Sequence, residues 1–280
     1  MPGQTAGWDR LRLRLRSAAP PLYPPAPRPA GSPAADCEVC RGPVRPGFTR
    51  CYQCHRHALL GSALLADAVV PISYAIKGTP FADDLWRYKS APVPPTSAPA
   101  PAPALVATPA SARASVLALM LAFLTDHGPC VWQRAGMPPP DRLAVVPTGA
   151  GRPGPHPLLR LVWPYLRLPG CSLALRPGRQ GRDLDLDRFR AAQVPAGASV
   201  LLLDDTWVSG ANAQSAAAAL KRAGARHVAI VVLGRHLNPA DPAAAPLLTA
   251  LTPARYDRSA CAVHAATRKW CEQALSNEIT

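Results

Sequence analysis

The chain has 280 residues, 35 of them proline, and a formal net charge of +14 from 31 Lys and Arg against 17 Asp and Glu. This length allows one or two domains, and so much proline excludes a chain that is packed core throughout. The charge favours an anionic partner, either a polyphosphorylated sugar or nucleic acid, although an Arg-rich, GC-biased genome produces the same excess.

Residues 1–35 carry Leu11-Arg12-Leu13-Arg14-Leu15-Arg16 and a Pro/Ala tract, and read as a disordered basic arm. The arm has no continuous apolar stretch of the signal-peptide kind. Residues 36–58 hold Cys37-x2-Cys40 and Cys51-x2-Cys54, with ten residues between the pairs. Two such knuckles bring four thiolates within reach of one tetrahedral ion, and Zn²⁺ is the default occupant of a zinc ribbon of this size. So few residues build little core, so the metal would supply the folding energy. Disulfides or a redox pair are the competing readings; a cytoplasmic chain disfavours the first. His55 and His57 read as groups outside the metal, on the surface or just behind the ligands.

Residues 59–90 form a helical lead-in. Residues 91–112 are a Pro/Ala-rich spacer that cannot pack a core. The longest apolar run, Ala114 to Leu124, is shorter than the ~20 residues a bilayer span requires. The expectation is a soluble, cytoplasmic protein with no membrane insertion.

Residues 113–240 read as an α/β core with a parallel sheet flanked by helices. Leu143 to Pro147 is a strand, followed by the small-residue loop Thr148-Gly149-Ala150-Gly151-Arg152 and a helix from about Pro157 to Leu166. Such a loop lets backbone approach a pyrophosphate, with Arg152 supplying charge, and is equally a plain connector. Between Leu175 and Val194, Arg176, Arg179 and Arg182 sit on a Gly-bearing loop that suits either an anion-gripping lid or a solvated surface. Val200 to Leu203 is a buried strand ending in Asp204-Asp205-Thr206. A Val208-Ser209-Gly210 turn then opens a helix from Ala211 to Ala223, capped at Gly224, and His227 to Leu233 is the next strand. The helix start aims N–H groups and its dipole at one point, which suits a phosphate, beside two acids that suit sugar hydroxyls. Phosphate and vicinal diol together describe a phosphorylated ribose.

This stretch resembles the 5-phosphoribosyl-1-pyrophosphate (PRPP) motif of type I phosphoribosyltransferases. The resemblance implies that Asp204 and Asp205 hold the ribose hydroxyls and fix the sugar for catalysis. It assigns the 5′-phosphate to the turn formed by Thr206, Ser209, Gly210, Ala211 and Asn212. The sequence departs from the motif at Val208 and Asn212, where hydroxyl residues are usual; loss of one such donor weakens phosphate binding by about 1 kcal/mol. With the four-Cys module and Tyr74-Ala75-Ile76-Lys77-Gly78 through Leu85-Trp86-Arg87-Tyr88-Lys89, the chain is similar to the ComF-type competence family. That resemblance covers about residues 37–90 and 141–236. It implies structural Zn²⁺, PRPP bound with Mg²⁺, and a hood loop in which Gln180 and Arg188 match while Ala191 replaces an expected Asn. Arg152, Arg176, Arg179 and Arg182 are then candidates to steady the departing pyrophosphate. The family's signature after the pyrophosphate loop is replaced by Gly154-Pro155-His156-Pro157. A glycosyl-transfer enzyme, a non-catalytic PRPP or nucleotide sensor, and a DNA-uptake accessory protein all stay open.

Residues 241–280 read as a C-terminal helical extension, with few breakers from Arg255 to Leu275. Cys130, Cys171, Cys261 and Cys271 read as scattered free thiols. Cys261, His264 and Cys271 offer a partial metal set as an alternative.

Overall fold

The computed structural model describes residues 36–89, 109–148, 155–251 and 258–264. The basic arm, most of the Pro/Ala spacer, Arg152 and Cys271 lie outside them. Six strands are named in chain order: β1 Ala68–Ile76, β2 Arg142–Val145, β3 Ser172–Leu175, β4 Phe189–Ala192, β5 Ser199–Trp207 and β6 His227–Leu237. The α-helices are α1 Tyr52–Gly61, α2 Pro80–Arg87, α3 Pro109–Arg134, α4 Pro157–Leu166, α5 Ala211–Arg222 and α6 Ala245–Leu251.

A four-stranded, wholly parallel sheet runs in the order β1-β6-β5-β2, and β3 and β4 form a separate antiparallel hairpin. The sheet is buried on both faces, as parallel sheets joined by helical crossovers must be. Alternate residues of each strand divide between the faces. Leu201 and Leu203 join Val231, Leu233, Ile72 and residues of α2, α3 and α4 in one cluster. Val200, Leu202 and Trp207 join Ile230, Val232, the alanines of α5 and Cys37, Cys40 and Cys54 in the other.

Several expectations need correction. The lead-in is not simply helical: Ala68–Ile76 is an edge strand of the central sheet, in register with Ala229 to Leu237. Pro71 obscures it in sequence, yet an edge strand tolerates proline because only one side must pair. The core therefore begins well before residue 113, and the spacer ends by Pro109, where α3 starts. Helix α3 continues past Leu124 to Arg134, so its apolar stretch Ala112–Arg134 is long enough to cross a membrane by length and composition. It is mostly buried inside the protein instead, with every residue from Leu119 to Gly128 packed away from solvent, as expected of a helix apolar all round. Of the C-terminal stretch, Pro242–Ala244 is a 3₁₀ turn leading into α6 and 258–264 is not helical; the rest of the expected helix from Arg255 to Leu275 lies outside the described residues.

Candidate functional site

The four-Cys module is built from one β-bridge, Asp36 with Pro43, and helix α1, whose first turn carries Cys54. The four Sγ atoms all lie within 4.8 Å of one another, and Cys40 and Cys51 are 3.7 Å apart. Zn–S bonds of about 2.3 Å in a tetrahedron require S···S separations of about 3.8 Å, so the donor set fits a structural metal such as zinc. Thiol hydrogen bonds from Cys37, Cys51 and Cys54, with the nearby Arg235 charge, hold Cys40 well below the ordinary thiol pKa. His57 is buried rather than at the surface, and neither ring nitrogen has a hydrogen-bond partner; burial lowers its pKa and keeps it neutral.

Arg235, buried on β6, joins this module to the sheet. Its guanidinium donates to the carbonyls of Trp207 (3.1 Å) and His236 (2.6 Å) and carries its charge beside Cys40. It lies so close to Gly42 that a Cβ there would stand 2.2 Å from Nη2. Tyr74 of β1 completes the attachment by donating to the Arg41 carbonyl at 2.9 Å.

At the carboxyl ends of β5 and β2, a cavity of about 720 Å³ opens beside the start of α5. Ligands of open α/β sheets enter at this end of the strands. Strand β5 runs on through Asp204 and Asp205 to Trp207, so both acids stand on the strand rather than on the loop after it. Gly210 precedes α5 with φ +80°, and a Cβ there would meet the Trp207 ring at 2.0 Å; only glycine fits. Ser209 Oγ accepts from the Ala211 N–H at 3.3 Å and so helps satisfy the start of the helix. Asp204, Asp205, Thr206, Ser209, Gly210, Ala211 and Asn212 all line the cavity.

The two acids differ. Asp205 is buried, and one of its oxygens accepts from Tyr88 Oη and pairs with Lys89 Nζ at 2.7 Å; His156 Nε2 stands 3.6 Å away. Burial pushes its pKa up, but Lys89, His156 and the hydrogen bonds from Lys89 and Tyr88 outweigh that and leave it lowered. Asp204 has no such cation in contact. Burial first, then the Asp205 charge, push its pKa up to about 8, against the Lys89 charge and hydrogen bonds from the Asp205 and Thr206 backbone. The surroundings therefore push the two acids in opposite directions, Asp205 toward its carboxylate and Asp204 toward its protonated form.

Lys89, Tyr88 and His156 are the site residues that motif reading did not assign. Tyr88 and Lys89 follow α2 at the end of the Tyr/Lys-bearing segment, 117 and 116 positions from Asp205. His156 caps α4 by accepting from the Leu158 N–H at 3.1 Å through Nδ1. With that nitrogen accepting, the neutral ring carries its proton on Nε2, the atom facing Asp205.

Of the candidate hood arginines, Arg182 lines the cavity. Arg176 and Arg179 lie on the exposed loop joining β3 to β4, where Arg179 pairs with Asp185 at 3.4 Å; neither lines the cavity. Arg188 is buried and fastens this loop down. It donates to the carbonyls of Arg179 and Asp183 and to Asn212 Oδ1. Arg188 thus holds Asn212 by its Oδ1, which leaves the Asn212 side-chain N–H groups, with the backbone N–H groups of the turn, as the donors a phosphate would meet. The four-Cys module also reaches the cavity: Gln53 lines it, and Arg56 stands 3.5 Å from Asp183.

No protein-family model, characterised protein or solved structure matches this chain.

Proposed function

We propose that this protein binds PRPP, and that it belongs with the type I phosphoribosyltransferases of ComF type whose motif it resembles. The observation that carries this reading is one cavity faced by both an acid pair at a strand end and the glycine-formed start of a helix. A helix N-terminus supplies N–H donors and partial positive charge for the 5′-phosphate. Asp204, neutral and turned to the same space, both donates to and accepts from a ribose hydroxyl. Asp205 serves the site through Lys89, which it holds at the cavity edge.

Phosphoribosyl transfer breaks the bond between C1 and pyrophosphate as charge builds on the leaving group. Positioning and charge neutralisation dominate such a step. Lys89 and Arg182 are cations lining the cavity that would meet the pyrophosphate, and Mg²⁺ bound with PRPP would add neutralising charge. The loop fastened by Arg188 would exclude water.

Calorimetric titration of the zinc-loaded chain with Mg²⁺ and PRPP tests the reading. Binding in the micromolar range is expected, weakened at least tenfold in Asp204→Ala. Pyrophosphate release on prolonged incubation would mark transfer to water as the acceptor-independent activity. A wild-type chain that takes up no PRPP ends the proposal.

A further inference from the structure

A second cluster of metal-ligating side chains lies away from this cavity, on the outer side of α3. His127 and Cys130 stand three positions apart on that helix and so share one face. Against them packs the C-terminal segment with Cys261 and His264, again three positions apart. His127, Cys130 and Cys261 are each about 1% exposed, and their donor atoms lie within 4.8 Å of one another. Cys261 Sγ is 3.8 Å from His264 Nδ1. Tetrahedral zinc with S and N ligands sets such separations at about 3.3 to 3.8 Å.

Three further features point to an ion. His127 Nε2 stands 3.0 Å from the Arg258 carbonyl, which can only accept, so Nε2 carries the ring proton. That leaves Nδ1 as a buried lone pair that faces the Cys261 sulfur without a well-formed hydrogen bond. A ring fixed through one nitrogen by a backbone carbonyl, with the other bare, is the arrangement found on metal-bound histidines. Cys261 Sγ accepts from the backbone N–H groups of Val263 and His264, both at 3.4 Å, which fixes the sulfur in place beside His127 and Cys130. Finally, Arg258 pairs with Asp126 at 2.7 Å, so the segment is seated on α3 independently of any metal.

We propose that His127, Cys130 and Cys261 form the core of a second structural zinc site that fastens the C-terminal segment over helix α3, with His264, beside Cys261, swinging in as the fourth ligand to make it Cys2His2. The two halves of the site are more than 130 positions apart in the chain. A metal there closes a long loop and adds to a seat that includes the Arg258–Asp126 ion pair, the His127–Arg258 carbonyl contact and the buried Cys261, Ala262 and Val263.

Zinc content and X-ray absorption of the purified full-length chain test this. The expected result is about two zinc per chain with an average shell of three sulfurs and one nitrogen. Cys261→Ser and Cys130→Ser should each lower the content to about one, with an all-sulfur shell, while Cys171→Ser leaves it at two. His264→Ala should speed loss of one zinc to a chelator without touching the other. Any of three results overturns the proposal: one zinc in an all-sulfur shell in the wild-type chain, content indifferent to Cys261→Ser, or a Cys130–Cys261 disulfide by mass spectrometry. The wild-type shell alone decides the matter if a variant fails to fold.

Discussion

The two faces of the central sheet are stabilised by different means. One is covered by three helices whose large side chains, among them Phe81, Leu85, Leu119, Met120 and Phe123, interlock with Leu201, Leu203 and Leu233. The other is covered by α5, whose inward side is almost all alanine, and by the four-Cys module. Alanine brings little apolar area, so burial at about 25 cal/mol per Å² contributes less on that face. The four-cysteine cluster and the Arg235 charge fill the place that leucine and phenylalanine occupy opposite. A small-residue face also lets α5 lie close to β5, which sets its N-terminus beside Asp204.

This difference can be broken most forcefully at the metal. Cys40→Ser, or stripping with a strong chelator, should lower the melting temperature more than any single truncation on the helical face, because structural zinc contributes on the order of 10 kcal/mol. Differential scanning calorimetry with and without chelator would record it. Next in size, Leu203→Ala on the opposite face should cost about 2 to 5 kcal/mol by opening a cavity, to the same extent at every zinc concentration. Denaturant midpoints measured at two zinc levels would separate the faces. Arg235→Met is smaller, about 1 to 3 kcal/mol, since it strips the Trp207 and His236 carbonyls of a charged donor. It should also release zinc faster, seen with a colorimetric chelator.

The smallest expected effect concerns the strand that both faces share. The folded pKa of Asp204, about 8, lies above its ordinary 3.8. The folded chain therefore keeps a proton that the unfolded chain gives up. Its contribution to stability is complete below about pH 4 and is lost progressively as pH rises to about 8. Asp204→Asn should flatten that part of the pH profile and should be relatively more stable at the alkaline end. Urea unfolding between about pH 5 and pH 8 measures the slope.

Local signals were legible and distant ones were not. The unit from β5 through α5 to β6 could be read because apolar runs, an acid pair and a Ser-Gly turn follow one another within about 30 residues. Helix Pro157–Leu166 was legible from its leading proline and apolar spacing, and the four cysteines from their spacing alone. Strand β1 was hidden by Pro71, and β5 and β6 run further than their aliphatic cores because polar residues at strand ends still pair. Lys89 and His156 were missed because their role exists only through Asp205, which no local pattern links to them. The cluster around His127 is hidden for the same reason: the sequence offers Cys261 and His264 with Cys271 as a partial metal set, but His127 and Cys130 sit on a helix legible only for its hydrophobicity.

The place of β1 in the sheet has a practical consequence. Strand β1 and helix α2 precede the Pro/Ala-rich stretch, and they complete a sheet whose other strands all follow it. Cutting the chain between Lys89 and Pro109 would therefore divide one folding unit rather than separate two. The C-terminal piece alone would expose the edge of β6 as a row of unpaired backbone groups, an invitation to aggregate. Expressed together, the two pieces should reassemble, with Lys89 and Asp205 meeting across the break, which makes this stretch a natural point at which to split the protein into a complementing pair.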